Sequence, residues 1–111
     1  MSARLVLCAC PDAATAAALG RALVDARLAA CATVLPGATS IYRWEGRIEE
    51  AQEAVLLIKT WADRVEALAE RIRAEHPYEL PEVVAVEAAG GLAGYLAWIH
   101  AETRTTDTPA A

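Results

Sequence analysis

At 111 residues and 11.8 kDa the chain has room for one hydrophobic core and not for two. Its formal charge of −5, with Lys and Arg scattered, argues against a nucleic-acid partner and against an anionic membrane surface, since both need a basic face. No apolar run is long enough to span a bilayer. The N-terminus MSARLVLCAC lacks the apolar stretch and cleavage site of a signal peptide, and three cysteines suit a reducing compartment better than a disulfide framework. A cytoplasmic protein is expected.

Residues 3 to 10, ARLVLCAC, read as a short buried strand. Pro11 ends it, and Asp12 is placed to cap a helix from Ala13 to about Leu28. Ala18, Leu19, Ala22, Leu23 and Ala26 recur there at helical spacing. Gly20 inside this helix costs roughly 1 kcal/mol against alanine, which points to a close helix–sheet contact. Residues 29 to 60 then form two long strands joined at Glu45-Gly46, where Gly46 supplies the positive φ of a tight turn. Pro36-Gly37 interrupts the first arm as a bulge. Thr60-Trp61-Ala62-Asp63 resembles a capping box for the next helix. Trp61, Val65, Leu68 and Ile72 share a face of that helix, which Pro77 stops at His76. Val83 to Val86 make a fourth strand. Gly90-Gly91 marks a turn, and Leu92, Tyr95, Leu96 and Ile99 pattern a short last helix. The segment from Thr103 to Ala111 has no apolar pattern and reads as a disordered tail after a single domain over 1–102.

This order predicts an α+β ferredoxin-like fold, a βαββαβ sandwich with an extra C-terminal helix and a long hairpin between its second and third strands. The helices cover one sheet face. Val55-Leu56-Leu57-Ile58 is apolar on both sides, so the other face needs a cover too, and self-association is the natural one. The hairpin arms outrun the domain; the outer half, Ala38 to Gln52, should pair with a neighbour and bury Tyr42 and Trp44 only in the oligomer.

Several motifs, in order, are similar to those of the CutA family, the CutA1 divalent-cation tolerance proteins. They are Leu28-Ala29-Ala30-Cys31-Ala32, Leu35-Pro36-Gly37, Thr39-Ser40-Ile41-Tyr42, Trp44-Glu45-Gly46-Arg47-Ile48, Leu57-Ile58-Lys59-Thr60, His76-Pro77-Tyr78-Glu79 and Tyr95-Leu96-Ala97-Trp98-Ile99. The match runs from about Leu5 to Ile99. The resemblance implies a homotrimer related in architecture to the PII signalling proteins, with hairpin arms extending a neighbour's sheet. It also implies a role in divalent-cation tolerance and copper binding, with no enzymatic reaction and no obligatory cofactor.

Carried over position by position, the family's proposed copper ligands fall on Cys8, Glu75 and His76, where Glu75 replaces a histidine. Thiolate and imidazole suit copper, and thiolate suits Cu(I) above all; a carboxylate is harder. The alternative is a buried thiol beside a solvent-facing histidine at a helix C-terminus. Cys8 and Cys10 share one strand face, a pair fit for metal or redox exchange, or for the core; Cys31 reads as a small core residue.

Trp44, Glu49, Lys59, Tyr78 and Glu82 form a second set, expected at the clefts between subunits. A PII-like sensor that binds a small anionic metabolite there and signals to a protein partner is the competing function; an intersubunit ion pair with aromatic packing is the plainer account. No nucleophile–base set is visible, and Cys8-Ala9-Cys10-Pro11-Asp12 lacks the arginine an acylphosphatase-like loop would need.

Overall fold

The structure, a computed structural model, describes residues 2–105. Its elements are β1 (Ala3–Cys10), α1 (Ala13–Asp25), β2 (Cys31–Trp44), β3 (Arg47–Trp61), α2 (Val65–Glu75), β4 (Val84–Glu87) and α3 (Ala93–Glu102), with a 3₁₀ turn, Ala62–Arg64, before α2. The four strands form one sheet in the order β2-β3-β1-β4, with every pairing antiparallel. This is the ferredoxin-like arrangement expected from the element order.

Alternation along the strands sorts the side chains. Val6, Cys8 and Cys10 of β1 and Ala54, Leu56 and Ile58 of β3 are buried against Leu19 and Leu23 of α1 and Leu68 and Ile72 of α2. On the opposite side α3 covers only one end, where Ile99 packs with Ala3, Ala30 and Trp61. The rest of that face is open. Val84 and Val86, paired with Leu7 and Leu5, are about half exposed, as is Leu35 beside Val55.

Local chemistry explains the element ends. Asp12 caps α1, its carboxylate accepting from Thr15 N–H at 2.7 Å. The helix closes at Arg27, whose φ of 60° belongs to the left-handed region that glycine prefers. An arginine there has a use: its guanidinium donates to the Glu102 carbonyl at 3.4 Å and carboxylate at 3.3 Å, tying α1 to α3. In the hairpin turn both Glu45 and Gly46 have positive φ, the pattern of a type I′ turn. The expected bulge is present: Leu35 pairs with Val55 but Ala38 pairs with Glu53, so β2 carries one extra residue around Gly37.

Two expectations change. Thr60 stays in β3 and donates its hydroxyl to the Leu28 carbonyl at 2.7 Å, so it does not cap α2; Asp63 pairs with Arg104 through two contacts of 2.7 Å. The tail expected from Thr103 onward does not begin there. Thr103 is buried and donates to the Ile99 carbonyl at 2.9 Å, and Arg104 holds Asp63; residues 106–111 lie outside the described residues. A satisfied helix end and a bidentate ion pair override the lack of apolar pattern.

Gly20 serves the contact expected of it. A Cβ there would lie 3.0 Å from the Ala32 Cβ and 3.2 Å from a Leu56 methyl. Gly20→Val should therefore cost about 1–3 kcal/mol through overpacking. In Gly20→Ala the gain in helix propensity, about 1 kcal/mol, offsets the tight contact. Urea midpoints at one fixed protein concentration check both.

Candidate metal centre

Cys8 and Cys10 face the same side of β1 and are fully buried. Pro77 ends α2 and sets His76 in an extended conformation, φ −77° and ψ 141°, which turns its ring back onto β1. A ring nitrogen of His76 and the two sulfurs all lie within 4.8 Å of one another. Two atoms that share an ion at about 2.3 Å are at most about 4.6 Å apart, so small side-chain shifts would close this trio around one ion.

His76 is not solvent-facing; it is 8% exposed and fully bonded. Its Nε2 lies 2.8 Å from the Ala9 carbonyl, and its Nδ1 lies 3.1 Å from the Tyr78 amide. A carbonyl can only accept and an amide N–H can only donate, so Nε2 carries the proton and Nδ1 is bare. The ring is neutral and pins the end of β1 to the α2–β4 connection. An ion at this ring must displace one of the two bonds.

The thiols are held in their protonated form. Burial pushes Cys8 up to about 12, with Cys10 and then the Glu82 and Glu53 carboxylates adding to the effect. Cys10 is also raised, chiefly by burial. Metal capture at this trio therefore releases protons. Glu75 is not brought in: its carboxylate accepts from Arg71 one helical turn back. The ligand set that the geometry assembles replaces Glu75 with Cys10.

On the other side of β1, Ala9 floors a cavity of about 600 Å³ between the hairpin and the segment after α2, lined also by Tyr42, Trp44, Glu53, Tyr78 and Glu82. Trp44, Tyr78 and Glu82 line this cavity of the single chain together, but Lys59 and Glu49 do not. Lys59 donates to the Tyr95 hydroxyl at 3.2 Å, and Glu49 sits 3.8 Å from Arg47. The lining carries Glu53, Glu79 and Glu82 and no Lys or Arg, so this cavity does not suit an anionic ligand.

Residues 4–102 match the sequence profile of the CutA1 divalent ion tolerance protein family. The chain belongs to the CutA1 family. It is 42% identical over 100 residues to the divalent-cation tolerance protein CutA of Pectobacterium atrosepticum, covering 90% of this chain and 91% of that one. The crystal structure of CutA from Xylella fastidiosa superposes with a TM-score of 0.90 at 50% identity, covering 94% of this chain and 100% of that one. The CutA1 structure from Thermus thermophilus also gives 0.90, at 44% identity, over 92% of this chain and 99% of its own. CutA from Archaeoglobus fulgidus, described as periplasmic, gives 0.88 at 27% identity, over 92% and 99%.

Within this CutA1 chain, sequence reasoning found Cys8 and His76 and passed over Glu53 entirely. The missed signal was available: an acidic residue beside an apolar strand run, opposite a Pro-Gly bulge. Among the described residues no helix is long and apolar enough to cross a membrane.

The burial differences predict thiol reactivity. Cys31 is only half-buried, whereas Cys8 and Cys10 are sealed. In the native protein at pH 8, Ellman's reagent should titrate Cys31 quickly and the other two only on denaturation.

Proposed function

We propose that this CutA1 protein binds a thiophilic metal ion, such as Cu(I) or Zn(II), at Cys8, Cys10 and His76, and acts in metal tolerance by binding rather than by catalysis. The observation that carries this reading is the approach of two sulfurs and an imidazole nitrogen to within 4.8 Å in a water-poor site. The names of the family and of its members describe tolerance to divalent ions, which agrees with a binding role. Cys8 and Cys10 supply the soft donors as thiolates once the ion has displaced their protons. His76 adds a third donor through its unprotonated nitrogen, giving up the bond from the Tyr78 amide for one to the ion. Free thiols at all three cysteines favour a reducing compartment, the cytoplasm.

The working unit in this proposal is a homotrimer. Its support is the open apolar face around Leu35, Val84 and Val86, the exposed hairpin residues Ile41, Tyr42, Trp44 and Ile48, and the resemblance to CutA proteins.

Competition titration of Cu(I) with a chromogenic chelator tests the site. Cys8→Ala and Cys10→Ala should each weaken binding at least tenfold, His76→Ala by less, and Glu75→Ala not at all. With two thiols deprotonated on binding, affinity should rise by up to about 100-fold per pH unit between pH 6 and 8. Equal affinities for the wild type and both cysteine variants would overturn the assignment.

A further inference from the structure

Residues 77–83 join α2 to β4 without helix or strand. They are lightly tied. Residues 77–82 make no backbone–backbone hydrogen bond, and Pro77 and Pro81 have no N–H to offer one. At the far end Val83 packs against the core. Two hydrogen bonds hold the rest, both at Tyr78. Its amide donates to His76 Nδ1 at 3.1 Å, and its hydroxyl donates to Glu53 at 2.7 Å. The first ties the segment to the end of α2, the second to the hairpin beside the bulge. The rings of His76 and Tyr78 lean on each other, their centroids 4.7 Å apart.

The amide bond does not survive an ion at His76. A neutral imidazole has one bare nitrogen, and here its lone pair is the acceptor of the Tyr78 amide. An ion at Nδ1 takes that lone pair directly. An ion at Nε2 moves the ring proton to Nδ1, which then faces the amide as donor to donor. The Nε2 route also breaks the 2.8 Å bond to the Ala9 carbonyl, so Nδ1 costs less. By either route Tyr78 loses its amide acceptor and keeps its hydroxyl bond to Glu53.

We propose that residues 77–83 form a metal-operated strap, an inference that rests on the metal centre proposed above. In the bonding seen here His76 holds the strap to the end of α2. With an ion on Cys8, Cys10 and His76, the strap comes away from α2 while Tyr78 stays on Glu53. Occupancy of a sealed site thereby changes the backbone between α2 and β4, and the Tyr78–Glu53 bond carries that change to the root of the hairpin.

The test uses the full-length assembled protein labelled with [15N]tyrosine and [15N]histidine. The chain has three tyrosines and two histidines, so Tyr78 and His76 are assigned by their losses in Tyr78→Phe and His76→Gln. Ring correlations of His76 should show its proton on Nε2 before Cu(I) is added and a shifted Nδ1 afterwards. One equivalent of Cu(I) per chain, its uptake measured by chelator competition, should speed hydrogen exchange of the Tyr78 amide at least tenfold. The Tyr95 amide, bonded to the Leu92 carbonyl at 3.0 Å, should stay within about twofold. In the double variant Cys8→Ala, Cys10→Ala the same Cu(I) should leave both amides unchanged. Uptake of Cu(I) with the Tyr78 amide unmoved overturns the strap and leaves the metal centre standing, whereas no uptake overturns both. The strap also fails if the His76 proton is found on Nδ1 before Cu(I) is added, if Tyr95 speeds as much as Tyr78, or if the double variant responds.

Discussion

The constraint on which the fold turns is a sheet that is apolar on both faces with helices enough for only one and a part. β1 and β3 send Val6, Cys8, Leu56 and Ile58 toward α1 and α2, where burial is complete. Leu5, Leu7, Val55 and Leu57 point the other way, and α3 reaches only the end near Ala3 and Ala30. Val84 and Val86 continue this apolar field to the edge strand. Apolar area left in water costs about 25 cal/mol per Å², and a neighbouring chain recovers it. The hairpin belongs to the same account. Its inner half is held by β1, and beyond the Gly37 bulge the two arms have only each other. An isolated two-stranded ribbon is marginal in water, so its persistence points to support from another subunit.

β1 also acts as a partition. Cys8 and Cys10 look into the core, while Ala9 between them looks into the cavity. Two links cross that partition. The Ala9 carbonyl accepts a hydrogen bond from His76 Nε2–H, and Tyr78 donates its amide to His76 and its hydroxyl to Glu53. His76 in its present bonding is thus a structural tie, and in the proposed metal centre it gives up one of these bonds. Thiols sit on one side of the strand and acidic and aromatic side chains on the other, and His76 and Tyr78 connect them.

Much of this was legible in the sequence. Alternation in ARLVLCAC, the Pro36-Gly37 break, the Glu45-Gly46 turn and the stop at Pro77 locate the elements, because each rests on local backbone chemistry. Cys8 and His76 were found through motifs. What escaped were features made by three-dimensional approach. Glu75 is next to His76 in sequence, but the helix points it to Arg71. The sequence marks Cys10 as a possible metal partner of Cys8, but its approach to His76 depends on the bend that returns the ring to β1. Lys59 and Tyr78 fall in neighbouring motifs of the resemblance yet serve different places, one at Tyr95 and one at Glu53. Thr60 and Asp63 matched a capping pattern, but tertiary partners at Leu28 and Arg104 outcompeted the local bond.

The claim that a neighbour covers the open face and braces the hairpin is the one on which most of this rests. Sedimentation velocity at micromolar protein tests it most directly. The account predicts a single species of three times the 11.8 kDa chain mass. A species of one chain's mass across the micromolar range would contradict it.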